Sequence, residues 1–153
     1  IRPEESRRQR TRQRPSMMDY KEQIRKDSMF NTPPVFAVYT SMLTLEWLKG
    51  LGGIEAIEKE NFKKSRLMYS EIDLNPLFKG FAAPADRSTM NATFSLTDDK
   101  LKDSFDGMCK EAGINGLNGH RSVGGYRASM YNALPLASVE TLVEIMSELE
   151  RKA

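Results

Sequence analysis

The stretch Val35–Leu51 constrains this chain more than any other. It lies between Asn31-Thr32-Pro33-Pro34 and Gly52-Gly53. Prolines suit the first turn of a helix, Thr32 is placed to cap it, and the paired glycines suit its stop. Within it, Val35, Phe36, Val38, Tyr39, Met42, Leu43, Leu45, Trp47 and Leu48 cover most of the circumference. A helix apolar nearly all round is a buried one, packed between layers or at an interface. If the chain stands alone, this helix needs a partner surface.

The remainder reads as a small mixed domain. A second helix, about Ile54 to Ile72, is far more polar, with Glu55, Glu58, Lys59, Glu60, Lys63, Lys64 and Arg66, and is expected on the surface. The two helices form a hairpin about the glycine break. Met17–Ser28 reads as a short strand and a loop, and 75–87 as a loop. Ala92, Phe94 and Leu96 alternate with polar residues, the pattern of a half-buried strand. Thr97 is placed to cap a helix carrying Leu101, Phe105, Met108 and Ala112, which Gly113 stops. Ile114–Leu117 and Tyr126–Leu134 are strand candidates. A last helix, opened by Ala137 or Ser138, buries Val139, Leu142, Val143, Met146 and Leu149. From Asn91 onward the order is strand, helix, strand, strand, helix. That order gives an α+β fold: a small, mostly antiparallel sheet with helices on one face. The expected organisation is a basic, flexible segment over 1–16, a helical part over 17–72 and an α+β domain over 73–153.

Composition narrows the function classes. With 153 residues, 39% hydrophobic and 29% charged, the chain is long enough for one compact core. No apolar run approaches the roughly 20 residues of a membrane span, and the charged start has no apolar stretch behind it, so neither a membrane nor a secretory signal is expected. The lone Cys109 excludes an internal disulfide and a multi-cysteine metal site, and the lone His120 argues against a histidine metal site. A reducing, cytoplasmic setting fits best. Net charge is only +2, but the first fourteen residues hold six arginines against two glutamates. Without aromatic residues for base stacking, that run reads as a solvated segment, and no nucleic-acid partner is expected.

Two stretches carry chemistry. Gly119-His120-Arg121-Ser122-Val123-Gly124-Gly125-Tyr126-Arg127-Ala128-Ser129 concentrates the single histidine, two arginines and three glycines. Glycines let backbone approach a ligand, and arginine offers a planar fork that matches carboxylates and phosphates. Arg121 and Arg127 could grip two ends of one dianionic molecule, with His120 as a titratable donor. A glycine-rich hairpin with solvated arginines is the plainer alternative. Ser28-Met29-Phe30-Asn31-Thr32-Pro33-Pro34 precedes a helix N-terminus, whose unpaired amides make a ready anion site, or merely a capped start.

Together these stretches resemble the phosphoserine aminotransferases. The loop at 28–34, Met90-Asn91, the motif at 119–129 and Tyr131-Asn132-Ala133-Leu134-Pro135 occur in that family's order, and the resemblance covers about Pro15 to Ala153. It implies the C-terminal small domain of a fold-type-I, pyridoxal-phosphate-dependent transferase with a remnant of the large domain. It implies a homodimer with shared active sites, acting on glutamate and 3-phosphohydroxypyruvate in serine biosynthesis, with a related role in pyridoxine biosynthesis. It assigns Asn31 and Thr32 to the cofactor phosphate, Arg127 to the substrate α-carboxylate, and His120 and Arg121 to the distal phosphate or carboxylate. The lysine that bonds to the cofactor is expected upstream of this chain, so no catalytic residue is assigned here, and neither Lys21 nor Lys26 takes that role. The alternative is an inactive, stand-alone α+β module that binds anions or a partner.

Overall fold

The computed structural model describes residues 15–119 and 123–153. The expectations for 1–14, His120 and Arg121 lie outside these residues. The chain divides into two compact units, Ile1–Trp47 and Leu48–Ala153.

In the first unit a short 3-10 turn, Ser16–Met18, leads into helix α1, Tyr20–Arg25. The expected strand over Met17–Ser28 is therefore helical. The Asp19 carboxylate accepts from the Lys21 amide at 3.0 Å, and Arg25 pairs with Glu22 one turn away. This local cap and ion pair favour the helix over an extended form. Asp27 and Ser28 then turn the chain through left-handed backbone, with φ of 49° and 66°.

Helix α2, Val35–Gly50, follows the two prolines as expected. Among the described residues no side chain caps its start, so the capping role expected of Thr32 is not seen. The expected burial of α2 is not met by this chain either: none of its residues is buried, and Phe36 is 83% exposed. An all-round apolar pattern shows that a helix needs cover, not which residues supply it. Its hydroxyls are already prepared for an apolar setting. Those of Thr40, Ser41 and Thr44 each donate to the carbonyl four residues back, at 2.8–2.9 Å.

In the second unit Gly52 and Gly53, both at positive φ, open helix α3, Gly53–Leu74. Sequence placed this helix on the surface; it is the centre of the core. Asn61, Lys64, Ser65, Met68, Tyr69 and Ile72 are buried, a stripe at helical spacing that the charged opposite face obscured.

The sheet has three antiparallel strands in the order β1 (Phe78–Gly80), β2 (Asn91–Leu96), β3 (Tyr126–Ser129). β1 lies in the segment expected to be loop. The register sets Phe94 opposite Tyr126, Ala92 opposite Ala128 and Phe78 opposite Leu96. These residues share the core face, because side chains alternate along a strand.

Helices α4, Lys102–Glu111, and α5, Leu136–Lys152, complete the fold, with α3 packed on β1, β2 and α5. Phe78, Phe94, Phe105 and Tyr126 form an aromatic cluster with ring centres 5.0–5.8 Å apart. Asp98, not Thr97, caps the turn before α4; the Thr97 hydroxyl instead donates to the Pro76 carbonyl at 3.1 Å. Ile114–Leu117 is not a strand, since Gly113 and Gly116 take left-handed φ of 75° and 76°. β3 stops at Ser129 rather than Leu134, because the carbonyls beyond it are taken by Lys64. In α5 the buried stripe includes Ile145, while Val143 is half-buried.

Candidate functional site

Arg127 stands on β3 directly opposite Thr93 of β2. Its neighbours along the strand, Tyr126 and Ala128, point into the core, so alternation turns Arg127 to the other face. That face carries Lys79, Asn91, Thr93, Ser95, Arg127 and Ser129, two cations and no carboxylate. Among the described residues no carboxylate pairs with Arg127. It also borders a cavity of about 320 Å³ at the outer edge of β3, together with Asn115, Ser129, Ser138 and Thr141. A planar cation on an acid-free surface is suited to a carboxylate or phosphate.

Beneath this face β3 is anchored from the core side. The Tyr126 hydroxyl donates to Asp106 Oδ1 at 2.8 Å, and Lys102 holds the other carboxylate oxygen. Burial and the Asp106 carboxylate push the Tyr126 phenol well above its ordinary range. Burial works to raise the Asp106 pKa, but the hydrogen bonds from Lys102 and Tyr126 outweigh it and hold it low. Tyr126 thus stays a neutral donor and Asp106 a charged acceptor, which fixes the residue next to Arg127.

The glycine-rich motif closes on itself at its neck. The Gly119 amide donates to the Gly125 carbonyl at 2.8 Å. A Cβ at Gly119 would run into the Gly124 carbonyl, and one at Gly125 would lie 2.5 Å from the Phe94 carbonyl oxygen. Glycine is required at both positions by this close approach, and at Gly125 also by φ of 61°. His120 and Arg121 lie between these two positions in sequence, outside the described residues.

Asn31 and Thr32 belong to the other unit. Both are exposed, immediately before α2. The Val35 and Val38 amides bond to Pro33 and Pro34, but those of Phe36 and Ala37 have no backbone acceptor among the described residues. The first turn of α2 holds no acidic residue. This positive helix end, flanked by an amide and a hydroxyl side chain, has the donors that a phosphate group needs.

Sequence reasoning missed Lys64, Asn61 and Thr93. The first two sit on the buried stripe of α3, and the spacing 61, 65, 68, 72 was a signal for it. Nothing in sequence marked Thr93, whose place beside Arg127 comes from strand register. Among the described residues no group of acidic, cysteine and histidine side chains could hold a metal ion, and no helix is long and apolar enough to cross a membrane.

Comparison with known proteins identifies the family and the fold. Residues 9–142 match the class-V aminotransferase family. The chain is 64% identical over 138 residues to the phosphoserine aminotransferase of Flavobacterium psychrophilum, an alignment covering 90% of this chain and 39% of that protein. The structure superposes on phosphoserine aminotransferase from Bacillus circulans subsp. alkalophilus with a TM-score of 0.81 at 39% identity, over 91% of this chain and 39% of that one. It superposes on a phosphoserine aminotransferase of Trichomonas vaginalis, solved with PLP bound, with a TM-score of 0.76 at 37% identity, over 88% and 39%. The chain thus spans about two-fifths of the length of the curated relatives it matches, and its α+β fold is that of the corresponding segment of these fold-type-I enzymes. On the strength of the matched residues, the chain belongs to the class-V aminotransferase family.

Proposed function

We propose that this chain is the C-terminal part of a phosphoserine aminotransferase. The complete enzyme moves the amino group of L-glutamate to 3-phosphohydroxypyruvate, giving O-phospho-L-serine and 2-oxoglutarate, in serine biosynthesis and, by related chemistry, in pyridoxine biosynthesis. The observation that carries the reading is Arg127, a guanidinium with no carboxylate partner among the described residues, on an acid-free sheet face, in a chain 64% identical to a phosphoserine aminotransferase.

Within this reading the residues divide the work. Arg127 binds the α-carboxylate common to every amino-acid and oxo-acid partner, and so orients the carbon that gains or loses nitrogen. His120 and Arg121 take the distal group, phosphate in one substrate and carboxylate in the other. Asn31, Thr32 and the amides of Phe36 and Ala37 fit the phosphate of pyridoxal phosphate, since these two amides have no backbone acceptor among the described residues. Pyridoxal phosphate supplies the electron sink for amino transfer when bound. The lysine that bonds to it is expected in the part of the enzyme that precedes this segment. The segment before α3 closes the large, cofactor-binding domain, and α3 with the residues after it forms the small one, since α3 packs on β1, β2 and α5. The apolar surface of α2 supports a homodimer with shared active sites, and the enzyme is cytoplasmic.

The second reading, an inactive anion- or partner-binding module, is favoured by one observation: the core cluster closes among residues 67–149. One experiment separates the two. The full-length protein carrying this sequence, supplied with pyridoxal phosphate, is assayed for 2-oxoglutarate release from glutamate and 3-phosphohydroxypyruvate. Turnover that collapses in Arg127→Ala supports the enzyme, and absence of turnover with this pair overturns it.

A further inference from the structure

Lys64 is among the most deeply buried residues of the molecule, only 1% exposed, although it is a lysine. Its ammonium donates to the carbonyls of Met130, Tyr131 and Leu134 at 3.2, 2.8 and 3.1 Å. An ammonium has three donors, so the count is complete. A buried charge is costly unless fully bonded, and an apolar residue here would leave the three carbonyls without this donor. Burial lowers the Lys64 pKa while Glu60, one turn away, pulls it upward. Lys64 thus ties three carbonyls of one short segment to a single point on α3.

Their location suggests what this tie does. Met130, Tyr131 and Leu134 follow β3 directly, and Met130 and Leu134 also wall the cavity that Arg127 borders. One turn before Lys64 on α3, Asn61 donates to the Asn132 side chain at 2.8 Å. Five residues after it, the Tyr69 hydroxyl shares its one proton between the carbonyls of Ser88 and Asn91, at 3.1 and 3.0 Å. Asn91 is the first residue of β2 and pairs with Ser129, the last of β3. Three residues of α3, spread over about two turns, therefore clamp the same end of the strand pair that carries Thr93 and Arg127.

We propose that Lys64 is a positioning residue for Arg127: by gathering the three carbonyls past β3 it fixes where that strand ends, and so where the guanidinium stands over the sheet. Asn61, through Asn132, is its auxiliary. This rests on the reading of Arg127 as the α-carboxylate clamp. Lys64 itself, enclosed in the core, touches no substrate.

The test uses the full-length enzyme carrying this sequence, with Lys64→Met, Lys64→Arg, Asn132→Ala and Arg127→Ala, each checked for folding by its melting temperature. Lys64→Met is expected to raise KM for both glutamate and phosphoserine about tenfold while kcat stays within about threefold, since a clamp displaced by a fraction of an ångström loses binding first. Asn132→Ala is expected to raise both KM values about threefold, and Lys64→Arg, which keeps the donors, to recover part of the Lys64→Met loss. Unchanged KM in folded variants, with only a lowered melting temperature, would overturn the proposal. If Lys64→Met does not fold, Lys64→Arg and Asn132→Ala decide in the same way. Arg127→Ala separates the two readings: if it leaves KM unchanged the clamp assignment itself is wrong, whereas a raised KM there beside unchanged values elsewhere rejects Lys64 alone.

Discussion

Arg87 grips Asp73 with both terminal guanidinium nitrogens, each 2.6 Å from a carboxylate oxygen, while its plane lies 4.5 Å from the centre of the Tyr69 ring. The pair ties the loop before β2 to the end of α3. The Arg87 hydrogen bonds hold the Asp73 carboxyl below its ordinary range, against a smaller opposing effect of burial. Asp73 is about half exposed, so solvent screening limits the gain. Asp73→Asn is expected to cost about 1 kcal/mol near neutral pH, at the upper end for a surface pair because both bonds are made. A depressed carboxyl pKa stabilises above the unfolded value and loses that effect as pH falls through the folded value. Melting curves should therefore separate Asp73→Asn from the parent near neutrality and bring them together in acid well below about pH 4.

The Cys109 thiol is buried against the aromatic cluster, and burial, with a lesser push from Asp106, raises its pKa to about 11. It remains a protonated thiol at neutral pH, and the thiolate is the reactive form. A thiol-specific reagent near pH 8 should label folded protein only at the rate of opening, and label it rapidly in denaturant. Fast labelling of the folded protein would contradict the packing of α4.

Gly125 combines a left-handed φ with a neighbour that leaves no room for a Cβ. Gly125→Ala should cost about 2 kcal/mol or more, since left-handed backbone alone costs about 1–2 kcal/mol with a side chain. The close approach to Phe94 must also open, which moves the segment beside Arg127. Expected together are a lowered melting temperature and a raised substrate KM in the full-length enzyme. Gly107→Ala, inside α4 where a Cβ meets nothing within 4 Å, serves as the opposing control and is expected to stabilise by about 0.5–1 kcal/mol.

Helix α2 presents Phe36, Val38, Leu43 and Leu45 to solvent. Contiguous apolar surface of this kind drives association. Sedimentation of the 153-residue chain should show oligomers or aggregate. The double substitution Phe36→Lys and Leu45→Lys should shift the distribution toward monomer.

Much of the fold was legible because periodicity reports burial directly. Helices α2, α4 and α5 lie within a few residues of their expected bounds, and Ala92, Phe94 and Leu96 form the half-buried strand. The failures have physical causes. α3 was misplaced because charges on one face of a long helix hid a buried stripe in which two positions, Asn61 and Lys64, are themselves polar. β1 is three residues long, with a lysine and a glycine, too short to alternate visibly. The strand expected after Tyr126 was too long because Lys64, far away in sequence, takes its carbonyls. For the site, residue chemistry pointed to Arg127, and the acid-free face around it comes from strand pairing that no local pattern encodes.

In the proposed enzyme this segment supplies two cationic clamps, one for the α-carboxylate and one for the distal anion. The most direct measurement is kcat/KM for O-phosphoserine and for alanine, in the full-length enzyme and its Arg127→Ala and Arg121→Ala variants. A charged hydrogen-bonding partner is worth about 1.5–3 kcal/mol, or roughly tenfold to a hundredfold. Arg127→Ala should lower both values by that much, and Arg121→Ala should lower the value for O-phosphoserine while leaving alanine within about threefold. Equal losses on both substrates with Arg121→Ala, or no loss with Arg127→Ala, would contradict the two-clamp assignment.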